Sequence, residues 1–469
     1  MNQQLYIAGK WTDADATFEV RDPYTSGLLA TVASASAGQA TAAVDAAATA
    51  ERLPAYRRAE ILREAADQIS ARAAEFAASI VAEAGKPVSA ARTEVDRAID
   101  TLRLAAEEAR RLHGEAVPMD AVGSGDGMLS FTIPQPAGVV AAITPFNFPL
   151  NLVLHKVGPA LAAGCPVVLK PSEKTPLTAG LLASVLDGCG LPAGWFNLVT
   201  GEPSVVVGAW LADPRVSVVT FTGSASVGWQ LKAASPGKRH ILELGSNTAV
   251  YVAADADLDA AVAAAVAGAF SYSGQACISL QRVYADRSIA AELTARLATA
   301  ADGLDHGDPR DASTVVGPLI STEARDRVLS WISEAILAGA VLSAGGDVRD
   351  GILRPTVLSD VPDSARLMCE EAFGPVVSVR SVAGPDEAIA AINASRFGLN
   401  AAVYTRDLST ALDFAQRVEA GTVLVNRGPS YRADHAPYGG VKESGEGREG
   451  VRYAVQSLLD PKLVILGAS

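Results

Sequence analysis

"AGVVAAITPFNFPLNLVLHKVGPALAAGCPVVLKPSEKTP", residues 137–176, holds two short apolar runs separated by a stretch of helical length. AGVVAAIT and CPVVLKPS are apolar at successive positions, as strands buried on both faces of a parallel sheet must be. Three further runs follow, WFNLVTG (195–201), VSVVTFTG (216–223) and RHILELG (239–245), spaced by helical segments. This alternation predicts a parallel, doubly wound α/β sheet.

A second alternating set begins just after Gly245, with NTAVYVA (247–253), a helix from about Leu258, and SLQRVYAD (279–286). It continues through GPVVSVRSV (374–382), LNAAVYT (399–405) and GTVLVN (421–426). Two α/β units are therefore expected to abut near Gly245. Upstream, residues 37–112 show apolar residues at three- and four-residue spacing, and the "GKP" at 85–87 is helix-stop chemistry. Residues 115–136 resemble a hairpin interrupting the first unit. VQSLLDPKLVIL (455–466) is a lone strand. Strands without sequence neighbours pair readily with another subunit, so a homo-oligomer, dimer or tetramer, is expected.

The chain has 469 residues, too many for one ordinary core. Its hydrophobic content of 49% is that of a core-forming protein, and the net charge of −13 comes without any basic block, which argues against nucleic acid as a partner. The four cysteines are far apart, with no C-x-x-C and no metal-ligand spacing, so neither disulfides nor a metal site is expected. No signal sequence and no membrane span is visible, and a cytoplasmic location is expected.

Four short stretches carry chemistry. "FSYSGQACISLQR" (270–282) places Cys277 in a turn between a helix and a strand. A thiol there is either a buried structural cysteine or a nucleophile beside backbone amides that face an oxyanion. "ITPFNFPL" (143–150) ends a strand at Thr144 and Pro145 and follows it with Asn147, a turn former or a neutral oxyanion donor. "LELGS" (242–246) puts Glu243 at a strand end, as a cap or as a general base. "FTGSASVG" (221–228) is a strand-to-helix junction where Gly223 and Ser224 can meet a pyrophosphate. "GEGREG" (445–450) matches the dinucleotide fingerprint but follows no strand, and is read as a coincidence.

With "KPSEKTP" (170–176) and "EEAFGPVV" (370–377), these stretches in this order resemble the aldehyde dehydrogenase superfamily along essentially the whole chain. The resemblance implies a dinucleotide-binding domain from 1–113 and 134–245, with 440–454 returning to it. It implies a catalytic domain at 246–439, and a small β oligomerisation arm from 114–133 and 455–469. It casts Cys277 as the nucleophile, Asn147 with the Cys277 N–H as the oxyanion site, and Glu243 as the base that hydrolyses a thioester. Members that pass the acyl group to coenzyme A usually lack that base. Lys170 and Glu173 would meet the adenosine ribose, Gly223 and Ser224 the pyrophosphate, and Glu371 and Phe373 the nicotinamide ribose, with Thr144 and Pro145 also at the cofactor. Glu173 favours NAD, because a carboxylate accepts from a 2′-hydroxyl and repels a 2′-phosphate; neighbouring Lys170 and Lys174 leave NADP open.

Three positions depart from the family's usual pattern: Ser246 where a second glycine is common, Cys165 for asparagine, and His155 for tryptophan. "LELGSN" with "YRADHAPYGG" is similar to the branch containing lactaldehyde and phosphonoacetaldehyde dehydrogenases. The resemblance places Arg97 on a helix bordering a substrate tunnel, and Arg427, Arg432 and His435 on a loop at its mouth, where they are either solvated surface or a clamp for an anion. A small hydroxylated or anionic aldehyde is the expected substrate. A semialdehyde dehydrogenase, a non-phosphorylating glyceraldehyde-3-phosphate dehydrogenase and a non-redox thiol hydrolase are the alternatives.

Overall fold

The computed structural model describes residues 2–467. The opening stretch forms the middle of an eight-stranded sheet. Strand Val139–Ile143 gives Val140 and Ala142 to one core and Val139, Ala141 and Ile143 to the other. Burial on both faces is why the run is apolar throughout instead of alternating.

Five parallel strands lie in the order Arg239–Glu243, Val216–Thr222, Val139–Ile143, Val167–Lys170, Phe196–Leu198. The chain thus winds outward from Val139–Ile143 in both directions. Its switch point falls between Val139–Ile143 and Val216–Thr222, the place where open α/β sheets take ligands beyond the strands' carboxyl ends. Antiparallel strands cover both edges: Leu5–Ile7 and Lys10–Thr12 on one side, Gly445–Glu446 on the other. The "GEGREG" stretch is therefore an edge partner of Arg239–Glu243, away from the strand-to-helix geometry that its pattern would need.

The second sheet starts at Thr248–Val252, directly after the first ends. Its six parallel strands run Thr356–Ser359, Val376–Val382, Leu280–Asp286, Thr248–Val252, Asn400–Tyr404, Thr422–Val425, with Val341–Ala344 antiparallel at one edge. The fold is α/β with two such sheets. Helices Ala37–Ala48, Ala55–Ala71, Ala73–Ala84 and Val88–Arg111 fill the expected helical region. The third ends at Gly85, whose φ of 63° supplies a left-handed cap. Residues 2–34, where sequence pattern assigns no element, contribute short strands, including a three-stranded sheet of their own.

Two expectations need correction. The C-terminal strand, Leu459–Leu466, is not alone: it pairs antiparallel along its length with Leu129–Pro136 of the same chain. The expected hairpin at 115–136 is only a stub, bridged at Ala116 and Phe131, with two short 3₁₀ turns between. The partner nearest in sequence loses to a distant strand that matches all eight residues. Among the described residues no helix is long and apolar enough to cross a membrane.

Candidate active site

Helix Leu258–Phe270 runs into a turn where Tyr272, Ser273 and Gly274 have φ of 50°, 55° and 70°. Two consecutive non-glycine residues in the left-handed region cost about 1–2 kcal/mol each, so something must hold them. Ser273 Oγ donates to the Gly317 carbonyl at 2.8 Å and Tyr272 Oη to that of Ala84 at 3.2 Å. Gln275 Oε1 accepts from Ile320 N at 2.9 Å. A Cβ on Gly274 would lie 2.2 Å from the Gly374 carbonyl oxygen, so the backbones meet only because it is glycine.

This turn sets Cys277, half-buried, in the wall of a pocket of about 430 Å³. Phe148, Tyr272, Tyr438, Arg97 and Arg432 line the same space. Burial pushes the Cys277 thiol up to about 11, while a hydrogen bond with Tyr438 and the charge of Arg432 pull it down. At rest the sulfur is mostly protonated and needs a base or a partner charge to become a nucleophile.

Asn147 lies just beyond strand Val139–Ile143. Its Nδ2 donates to the Gln275 carbonyl at 2.9 Å, tying it to the Cys277 turn. An amide carries two N–H bonds, so one remains for a ligand. Glu243 ends strand Arg239–Glu243, is buried, and neither carboxylate oxygen has a hydrogen-bond partner among the described residues. Burial first, and then the Glu449 carboxylate, raise its pKa well above the usual range. A Cβ on Gly439 would stand 2.8 Å from Glu243 Oε1, and the next residue back, Tyr438, touches Cys277. Asn147, Cys277 and Glu243 thus converge from three segments far apart in sequence.

The crest of the first sheet gathers the other predicted residues. Thr144 and Pro145 follow Val139–Ile143, Lys170 and Glu173 end and follow Val167–Lys170, and Gly223 and Ser224 follow Val216–Thr222. Thr144 Oγ1 and Thr222 Oγ1, on either side of the switch point, are buried without a partner among the described residues. Two orphaned hydroxyls there fit a polar ligand lying across the crest. Lys170 and Glu173 form an ion pair. Glu371 and Phe373 arrive from the second unit. Glu371 Oε1 accepts from Ser246 N at 3.0 Å, and burial pushes its pKa up to about 7. The Phe373 ring meets Phe146 edge-on at 5.7 Å, beside Asn147.

The four candidate substrate residues divide. Arg97 and Arg432 line the pocket; Arg427 and His435 are exposed and do not. Arg427 stacks on Tyr431 instead, 4.1 Å from its ring centre. Arg97 forks onto Asp434 at 2.9 and 2.7 Å, and Asp434 also meets His155 Nε2 at 2.8 Å, which accounts for a histidine at that position. Arg432 Nη2 donates to Glu449 at 2.9 Å, and its buried Nε lies 3.5 Å from Asp434 Oδ1, an ion pair without hydrogen-bond alignment. Cys165 is buried, its Sγ 3.5 Å from the Leu458 carbonyl. Ser246 Oγ lies 3.1 Å from Thr248 Oγ1.

Sequence reading passes over Lys86, Glu94 and Tyr438. Lys86, in the helix-stop "GKP", is fully buried at the pocket, ion-paired to Glu94 and 3.7 Å from the Phe148 ring centre. Glu94 Oε1 in turn accepts from Leu150 N and Asn151 N at 2.9 and 3.1 Å, where helix Asn151–Ala163 begins. Glu94 shows in the sequence only as a charge on an otherwise buried helical face, and Lys86 and Tyr438 lie in connecting segments with no pattern to mark them.

Residues 11–464 match the family described as "Aldehyde dehydrogenase family". The 3-sulfolactaldehyde dehydrogenase of Priestia megaterium is 40% identical over 465 residues, covering 98% of this chain and 97% of that protein. The lactaldehyde dehydrogenase of Methanococcus vannielii is 36% identical, covering 98% and 99%. The NADP-dependent glyceraldehyde-3-phosphate dehydrogenase of Bacillus halodurans C-125, solved with NADP, superposes with a TM-score of 0.97 at 31% identity over the whole of both chains. A match spanning both sheets, the Cys277 turn and the crest admits one conclusion: this chain belongs to the aldehyde dehydrogenase family.

Proposed function

We propose that the protein oxidises a small hydroxylated or anionic aldehyde to its carboxylic acid, with Cys277 as nucleophile. The observation that carries this is the convergence of a pocket thiol, an amide tied to its turn and an unpaired buried carboxylate. The Cys277 sulfur, once deprotonated, adds to the aldehyde carbon, and the carbonyl electrons move to oxygen. The free Asn147 N–H and the Cys277 backbone N–H hold that oxyanion; one such donor is worth about 10²–10³ in rate. The nicotinamide cofactor, when bound, supplies the acceptor for the hydride that leaves this carbon. A thioester stays on Cys277. Glu243 takes a proton from water, the hydroxide displaces the sulfur, and the acid departs. Splitting the oxidation around a covalent intermediate replaces one high barrier by two lower ones.

Gly223 and Ser224 would hold the cofactor's pyrophosphate, Lys170 and Glu173 the adenosine ribose, and Glu371 and Phe373 the nicotinamide ribose, with Thr144 and Pro145 also at the cofactor. Glu173 favours NAD. Its ion pair with Lys170 blunts the repulsion of a 2′-phosphate, so NADP is the second cofactor to try.

Two guanidinium groups in one pocket wall, Arg97 and Arg432, both meet the single carboxylate of Asp434, and this local excess of arginine supports an anionic or hydroxylated substrate tail. Relatives named for sulfolactaldehyde and lactaldehyde fit the same chemistry. The test is a panel of short aldehydes, neutral, hydroxylated, carboxylated, phosphorylated and sulfonated, run with NAD and NADP in parallel. Formation of reduced nicotinamide with none of them refutes the reading. Equal kcat/KM for neutral and anionic aldehydes in wild type, Arg97→Ala and Arg432→Ala refutes the anion site.

We also propose a homo-oligomer in a reducing, cytoplasmic setting. The ribbon of Leu129–Pro136 and Leu459–Leu466 exposes Leu129, Phe131, Ile133, Leu463, Ile465 and Leu466, more apolar surface than a solvated ribbon tolerates. Light scattering that gives a monomer mass at micromolar concentration overturns this.

A further inference from the structure

Tyr438 is buried, yet its Oη has one polar partner among the described residues, Cys277 Sγ at 3.3 Å. The ring packs with Ile278 and Leu399. Its backbone is locked on both sides, with Tyr438 N donating to the Glu449 carbonyl at 3.0 Å and Glu449 N to that of Tyr438 at 2.6 Å. The Arg432 guanidinium lies 3.9 Å from the ring centre and is itself pinned by Glu449. Glu449 is pinned in turn by Lys156 Nζ at 2.8 Å. The backbone bonds, the ring packing and the guanidinium together hold the hydroxyl against the sulfur.

Two physical consequences follow. A thiolate can only accept a hydrogen bond, whereas a thiol can donate one weakly, so a fixed O–H aimed at sulfur stabilises the ionised form more than the neutral one. A cation over the ring face draws electron density from the phenol and makes its O–H a stronger donor. We infer that Tyr438 is a catalytic residue: its hydroxyl donates to Cys277 Sγ, stabilises the thiolate, and holds the sulfur in the rotamer that faces the pocket. The inference rests on the reading of Cys277 as nucleophile and adds a second group that works on the same atom before any aldehyde binds. The competing account makes Tyr438 only a wall of the pocket.

Tyr438→Phe separates them, because it keeps the ring, its packing and the contact with Arg432 and removes only the hydroxyl. The measurement is the pH dependence of iodoacetamide alkylation in the full-length protein without cofactor, read residue by residue by peptide mass spectrometry. Exposed Cys369 serves as an internal reference. A hydrogen bond to a charged group has the size that moves a thiol by about one pH unit. The expected result is an apparent Cys277 pKa about one unit higher in the variant, with alkylation about tenfold slower below that pKa and Cys369 unchanged. The same Cys277 pKa in both proteins overturns the inference and leaves the nucleophile reading standing. Failure of Cys277 to react in either protein at any pH, while Cys369 reacts, overturns both.

Discussion

Glu243→Gln removes one proton acceptor and almost nothing else. Neither oxygen of the native carboxylate makes a hydrogen bond among the described residues, so the substitution breaks none. The side chain is buried, and burial together with Glu449 already disfavours its charge. A group whose folded pKa is raised contributes its full stability below its unfolded pKa and loses it as pH climbs through the folded value. The neutral amide suffers no such loss, so the variant should be at least as stable as wild type, and its advantage should grow with pH. Activity should move the other way. Loss of a positioned general base costs about 10²–10⁴ in the step it serves. In the mechanism proposed above that step is hydrolysis of the Cys277 thioester, so hydride transfer should survive. Rapid mixing with saturating aldehyde and cofactor should show a burst near one reduced nicotinamide per chain, then turnover slowed by about 10²–10⁴. An unchanged steady-state rate, or loss of the burst with Cys277 intact, refutes the assignment of Glu243 to hydrolysis.

Gly274→Ala should destabilise the fold by about 2–5 kcal/mol in urea melts, adding left-handed strain to a collision with the Gly374 carbonyl. Gly439→Ala places a methyl 2.8 Å from Glu243 Oε1; kcat should fall with little change in cofactor affinity, as steady-state kinetics will show. Glu173→Gln frees Lys170 and should raise the ratio of kcat/KM for NADP over NAD by about tenfold, the size of a part-screened charge effect. In wild type, the hydrolytic rate should climb with pH through a midpoint above the ordinary carboxylate range if Glu243 is the base, since a base must lose its proton to act; a midpoint near that of a free carboxylate refutes Glu243 as that base.

Local pattern carried the fold a long way. The runs at 139–143 and 167–170 are mostly apolar and that at 216–222 rich in β-branched residues because both faces are buried, so their existence and parallel class are legible without coordinates; 239–243 is legible mainly by its place in the alternation, with Ile241 and Leu242 its apolar pair. Motif order singled out Asn147, Glu243 and Cys277, Glu243 as the last residue of its strand and the other two in the segments that follow a strand and a helix. The partner of the C-terminal strand was not, because β pairing between residues more than 300 apart leaves no local trace. Tyr438, Lys86 and Glu94 were hidden for a related reason: a tyrosine, a helix-stop lysine and a helical glutamate have ordinary structural uses.

The sequence alone determined that two wound sheets form and that a thiol, an amide and a carboxylate stand at element ends. Tertiary structure decided which arginines face the pocket, sending Arg427 and His435 to solvent while Arg97 and Arg432 turn inward. It also decided that a phenol meets the sulfur. Local pattern reports whether a residue is buried along its own element; what it touches is set by packing between elements, where buried charges such as Arg432, Glu449 and Lys156 must find partners or destabilise the fold.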